Sequence, residues 1–329
     1  MAIDPSKAHI VSTWKLERPS NTCRFDPTGK FVFSGGEEST LQRVTIADGK
    51  IKPFPGGHDS WIFAIGFTKD GSQVISGGGD GRLVWWETAS EDPKPVRKVE
   101  AHKGWIRSIS VSPDGTLLAS AGNDYVVRIW NIADGTLVRE FAGHARDIYS
   151  VYFHPDGTSL FSGDLMGVIK QWETSTGKEL GTFDAKELKT YNNGQMVDFG
   201  GVRGLAVSPD KKVLAAGGLY KATNPLGAVH EPLVQLFKTD SRELIKSQIT
   251  DGITGGVVWR LIYLPDGILM GVDGGSTGGF LIFWKPGEEK DYTRFKLPNI
   301  ARDMDIHPDG VQVATAHHDS HIRVTRLAE

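Results

Sequence analysis

His58, Ser76 and Asp80 are the three side chains that a serine hydrolase combines: an imidazole base, a hydroxyl nucleophile and an orienting carboxylate. Their repetition argues for another role. His102, Ser120 and Asp124 recur at identical offsets, and Trp86 and Trp130 follow the two serines by ten residues. A set that repeats, and that would be buried beside a tryptophan, reads as structural rather than catalytic, because buried polar groups of these kinds each require a partner. A third copy is partial: His144, Ser162 and Trp172 fit, but Met166 stands where the aspartate belongs. Farther on, Thr315 and Asp319 keep two members, and Trp284 is a further candidate for the tryptophan.

The remaining candidates for chemistry are weaker. His317, Asp319 and His321 alternate like metal ligands, but a tight hairpin would point them apart, so a polar rim is expected and no metal. His230, Glu231 and Asp198 are the residues an enzyme could use as a base, yet no spacing joins them. The glycines of Gly271 to Gly279 lack the strand-to-helix setting and lysine of a phosphate loop. No catalytic residue and no cofactor is expected.

A recurring turn must position these side chains. Asp26-Pro27-Thr28-Gly29, Thr68-Lys69-Asp70-Gly71, Ser112-Pro113-Asp114-Gly115, His154-Pro155-Asp156-Gly157, Ser208-Pro209-Asp210-Lys211, Leu264-Pro265-Asp266-Gly267 and His307-Pro308-Asp309-Gly310 share one pattern. Their second positions lie 42, 44, 42, 54, 56 and 43 residues apart. A period near 43 in a β-rich chain implies an all-β, seven-bladed β-propeller of four-stranded antiparallel blades, one domain over residues 1–329. Only two strands follow the last turn, so a strand at residues 10–16 is expected to complete the last blade and close the ring.

Counting back from each turn gives columns. Four residues before the second position stand Cys23, Ile65, Ile109, Val151, Leu205, Leu261 and Met304, and two before stand Phe25, Phe67, Val111, Phe153, Val207, Tyr263 and Ile306. All are apolar, and the spacing of two places them on one strand face. Six before stand Asn21, Phe63, Arg107, Tyr149, Arg203, Trp259 and Arg302, with arginines and aromatics alternating.

The repeated His, Ser, Asp and Trp sets, with the turns, resemble the WD-repeat β-propeller family. The dipeptide that marks the family is blurred here to Trp86-Glu87, Trp130-Asn131 and Trp172-Glu173. The resemblance implies that the sets are structural tetrads and that the protein is a non-enzymatic interaction scaffold. It also places Phe63, Arg107, Tyr149, Arg203, Trp259 and Arg302 around the top mouth of a central channel, with Trp61 and Trp105 as an aromatic rim. Three guanidinium groups between aromatic faces would suit an acidic side chain or a C-terminal carboxylate on a protein or peptide partner. The surplus residues, Asp184 to Gly200 and Gly218 to Pro232, are expected as long loops on that face, and Gly271 to Gly279 as a glycine-rich one. The alternative is a lactonase- or lyase-like propeller enzyme with its site at the same mouth.

Composition bounds the rest. Glycine is 40 of 329 residues, about 12% against a usual ~7%, which fits a fold of many tight turns. The single Cys23 excludes an internal disulfide, and a net charge of −3 gives no basic field for nucleic acid. Nothing at the N-terminus resembles a signal peptide and no run is long enough to span a membrane. A soluble, cytoplasmic monomer is the expectation.

Overall fold

The turns close as the sequence requires. In this computed structural model, which describes residues 3–224, 229–250 and 252–328, the fourth residue of each turn donates its N–H to the carbonyl of the first, at 2.8–2.9 Å. That fourth residue has φ between 64° and 88°, the left-handed region where glycine pays no steric cost. Lys211 alone enters it with a side chain. The aspartates add a second constraint: Asp70, Asp114, Asp156, Asp210 and Asp266 each accept from the N–H two residues on, at 2.8–3.1 Å.

Each turn joins the first two strands of a four-stranded antiparallel sheet, and seven such sheets make the expected seven-bladed β-propeller. The last sheet takes its outer strand from the N-terminus: His9–Lys15 pairs with His321–Arg326, from His9 opposite Arg326 to Lys15 opposite His321.

The chain divides into two compact units, residues 1–140 with 302–329, and residues 141–301. In the first, side chains of the last sheet (Ala314, Ala316, Ile322, Val324) share a core with Cys23, Phe25, Val32 and Val44 of the first. Phe33, Leu41 and Phe54 then pack on Ile62, Ile65, Val74 and Trp86, and Trp85 and Leu83 on Ile109, Leu118 and Trp130. In the second, Phe161, Ile169 and Phe183 meet Leu205, Leu214 and Phe237, and Ala206, Ala215 and Val234 meet Val258, Leu261 and Trp284. All seven residues of the column four before the turn are buried.

Glycines let neighbouring sheets approach. A Cβ on Gly35 or Gly77 would stand 2.3 Å or 2.8 Å from the Cγ2 of Ile62 or Ile106 in the next sheet. Gly163 and Gly217 face Val202 and Val258 at 2.5 and 2.7 Å in the same way.

The expected long loops are largely regular structure. Asp184 to Gly200 contains a short 3-10 helix, Lys186–Leu188, and a hairpin of Lys189–Asn192 with Val197–Gly200. Gly218 to Pro232 prolongs strands Val213–Asn224 and Val229–Lys238, with Leu219 opposite Pro232. Its residues 225–228 lie outside the described residues. Gly271 to Gly279 is likewise a hairpin that pairs as far as Gly275 opposite Gly278. Hairpin extension wins because it satisfies the backbone groups that a loop would leave to solvent.

Between the first and last sheets the polar lock is Asp303. Its carboxylate accepts from Thr22 Oγ1 at 2.7 Å, Cys23 N at 3.3 Å and Arg24 Nη1 at 2.6 Å. Burial opposes the Arg24 charge, but Asp303 and Asp305 hold its pKa above the ordinary value. Asp303→Ala would leave that guanidinium buried without its carboxylate, so urea denaturation is expected to show a loss of about 3 kcal/mol. A loss below about 1 kcal/mol would show that the lock is dispensable.

Candidate functional site

The tetrads are closed networks. Trp86 Nε1 donates to Ser76 Oγ at 3.0 Å, Ser76 Oγ lies 2.8 Å from His58 Nε2, and His58 Nδ1 lies 3.1 Å from Asp80 Oδ1. In the next sheet the distances are 2.8 Å from Trp130 to Ser120, 2.7 Å from Ser120 to His102 and 2.8 Å from His102 to Asp124. Each serine oxygen already receives an indole N–H, and both serines are fully buried. Neither can attack a substrate.

The partial third copy is in fact complete. His144 lies 2.7 Å from Ser162 Oγ and 2.8 Å from Asp164 Oδ2, and Trp172 Nε1 donates to Ser162 at 2.8 Å. Asp164, not Met166, supplies the carboxylate. Asp164 stands opposite Ile148 in the ladder, the place held by Gly78 opposite Ile62. A Cβ on Gly78 would lie 2.5 Å from both Asp80 Oδ1 and His58 Nδ1. Strand end and turn therefore aim at one spot, and only one of them can carry the carboxylate.

The later copies stay incomplete. Thr315 Oγ1 bonds His317 Nε2 at 2.7 Å on its own strand, and Asp319 binds Arg323 at 2.6 Å. His321 Nδ1 engages the Asp319 carbonyl at 2.8 Å, so these groups do not converge on a metal. Among the described residues no cluster of His, Cys, Asp and Glu could hold one. Asp198 is paired with Lys189 at 2.9 Å, and His230 Nδ1 lies 2.7 Å from the Gly256 carbonyl.

Five of the seven residues of the arginine and aromatic column fall on β-bulges. The pairing register shifts between Ser20 and Thr22, Ile62 and Ala64, Ile106 and Ser108, Ile148 and Ser150, and Val258 and Arg260. The skipped residues are Asn21, Phe63, Arg107, Tyr149 and Trp259. A bulge takes its residue out of the ladder and re-aims the side chain.

In the first unit, Phe63 stacks on Trp105 with ring centroids 5.1 Å apart and planes 21° apart, and Trp61 flanks them at 6.2 and 6.4 Å. Arg107 lies 4.4 Å from the Trp105 centroid and 5.3 Å from that of Phe63, and its Nε donates to Asn123 Oδ1 at 2.9 Å. Trp61 and Trp105 remain 43% and 37% exposed. Arg302 is engaged elsewhere in this unit, by Asn21 Oδ1 at 2.7 Å and Glu37 Oε1 at 2.8 Å. Its acid is Glu37, while Asp303 binds Arg24.

In the second unit, Arg203 sits 3.7 Å from the Tyr149 centroid and 5.4 Å from that of Trp259. Trp259 Nε1 donates to Gly274 O at 3.3 Å.

The profile of the family described as WD domain, G-beta repeat matches residues 49–87, 93–131 and 135–173. These are the stretches that hold the three complete tetrads. The chain carries three WD repeats. A comparison with curated proteins finds no match.

The tetrads set two expectations for stability. Asp164→Ala leaves the His144 N–H and the amides of Met166 and Val168 without their acceptor, and should cost about 2 kcal/mol in urea denaturation. Met166→Ala should stay within about 1 kcal/mol of wild type, and the reverse ranking would refute the reassignment.

The second concerns acid. Burial pushes the Asp124 carboxyl up, but His102 and Arg128 outweigh it and hold its pKa well below the usual carboxylate range; Asp80 is lowered by His58 in the same way. A depressed folded-state pKa contributes stability above the unfolded value of about 4, and that contribution disappears as pH falls through the folded pKa. Melting curves between about pH 6 and about pH 2 should fall steeply for wild type and less steeply for Asp124→Asn.

Proposed function

We propose that the protein is a non-enzymatic, monomeric interaction module that holds a peptide or a partner's loop on its aromatic and arginine side chains. WD-repeat propellers commonly mediate protein–protein interaction, which supports the class. The observation that carries the finer reading is the bulge column. Phe63 and Arg107 are taken out of their ladders at the same step of two successive sheets. There they meet two tryptophans that stay exposed despite their size. Exposed, mutually stacked tryptophans with an arginine are the composition of a binding hot spot.

Charge favours an acidic ligand. Arg107 already lies over the Trp105 face, which disfavours a second cation there. Lys103 adds positive charge nearby in sequence, while the neighbouring Asp59 is engaged by Arg82. An acidic side chain or a C-terminal carboxylate can take the guanidinium edge while apolar neighbours cover the rings. The stack of Tyr149, Arg203 and Trp259 offers the same chemistry in the second unit, and Arg302, tied to Glu37, offers it less.

Fluorescence anisotropy with a labelled peptide of glutamates flanking a leucine tests the reading, with lysines replacing glutamates as the control. Binding should be selective for the acidic peptide. Trp61→Ala and Arg107→Glu should each weaken it by about tenfold or more, with melting temperatures within about 2 °C of wild type. Equal binding of both peptides, or variants that bind as wild type does, would refute the site. Variants that unfold would show these residues to be structural.

A further inference from the structure

Asp273 occupies, in the sixth sheet, the ladder position that Asp164 holds in the fourth. It stands opposite Val258 as Asp164 stands opposite Ile148, just before the bulge in each case. Trp284 likewise stands opposite Leu269 as Trp172 stands opposite Leu160. The two middle members of the tetrad are absent: Gly271 takes the serine's place in the register, and Thr254 stands at the histidine's offset from the turn. The ends of the chain are left without its centre. Asp273 is fully buried, and neither carboxylate oxygen has a hydrogen bond of good geometry; the Trp284 N–H is in the same position.

We propose that Asp273 is a positioning residue that makes the Tyr149–Arg203–Trp259 stack sensitive to pH, its neutral acid holding the hairpin shut and its carboxylate displacing it. The route is short. A Cβ on Gly256 would sit 2.4 Å from Asp273 Oδ1, so the opposite strand presses directly on the carboxyl. Gly274, the next residue, receives the Trp259 indole N–H, and Trp259 is the bulge residue one step beyond Val258. Charging a buried group with no well-aligned donor and no paired cation forces either water entry or strand movement, and both act first on Gly256 and Gly274. Trp259 and its contact with Arg203 must follow.

The surroundings set the range. Burial pushes the Asp273 carboxyl up to about 8, against the downward pull of the Gly274 and Val257 amides and of Arg294. Arg294, on strand Thr293–Leu297, is itself bound to Asp291. On strand Val229–Lys238, His230 holds the Gly256 carbonyl, and burial lowers its pKa. Val257 and Val258 on one side and Phe280 on the other bring no charge. A carboxyl whose folded pKa lies above its unfolded value takes up a proton on folding. It therefore weakens the fold as pH rises from about 4 towards about 8, with the charged form prevailing above that.

This inference does not rest on the proposed binding role, and its test reads the tryptophan directly. The protein is labelled with 5-fluorotryptophan and followed by fluorine NMR from about pH 6 to about pH 9.5, with the Trp259 signal assigned from Trp259→Phe. The Trp259 resonance should titrate with a midpoint near 8 in wild type and stay flat in Asp273→Asn. The same midpoint should persist in His230→Gln. A flat Trp259 signal in wild type, an unchanged midpoint in Asp273→Asn, or a midpoint that vanishes in His230→Gln would each overturn the proposal. Should Asp273→Asn fail to fold, the wild-type and His230→Gln titrations still decide it.

Discussion

A single four-stranded sheet cannot bury its own apolar face, and every other feature of this molecule follows from the need for the next sheet to cover it. The glycines that follow the tetrad position make that cover close. Gly35, Gly77, Gly163 and Gly217 each stand where a Cβ would collide with a branched side chain of the adjoining sheet. Ile62, Ile106, Val202 and Val258 fill the room so left, and all four are fully buried. Packing density is bought at the cost of a strand residue with poor β-propensity, an exchange that pays only at a close interface.

In such tight seams an unsatisfied polar group is costly, which explains the shape of the tetrads. The indole, hydroxyl, imidazole and carboxylate form one chain because each would be costly alone. The carboxylate has one place but two routes to it. Asp80 and Asp124 arrive from the turn and leave a glycine at the strand end; Asp164 arrives from the strand end and frees the turn for Met166. Asp273 shows the same route in a sheet without the histidine. What remains there is an acid whose cheapest state is neutral.

The repeat, the turns, the core columns and the added N-terminal strand were all legible in the sequence, because each rests on local rules: proline and glycine dihedrals, period-two burial and a fixed spacing. The hairpins were less so. Gly218 to Pro232 and Gly271 to Gly279 read as loops because glycine and proline signal turns, whereas the structure pairs them as strands. Pairing across a hairpin depends on a partner segment that no local window contains. Asp164 was missed for a related reason. Counting from Ser162 assumes the carboxylate always comes from the turn, yet the missing glycine at 164 was a visible sign that the strand end had taken over.

The bulges explain why one column holds the candidate binding side chains. In a regular ladder each residue is fixed by its two neighbours and must point into a seam or out of it. In five of the sheets the register shift releases one residue at the same step, between two paired positions of the ladder. That residue is free of the core's demand for apolar or small side chains, so Asn21, Phe63, Arg107, Tyr149 and Trp259 can differ. The repeat thus separates two tasks in one strand. Positions paired on either side of the bulge hold the sheets together, and the bulge position can change without disturbing them. Where a bulge side chain is tied back, as Trp259 is to Gly274, this separation breaks down, and the state of the core reaches the surface through that one hydrogen bond.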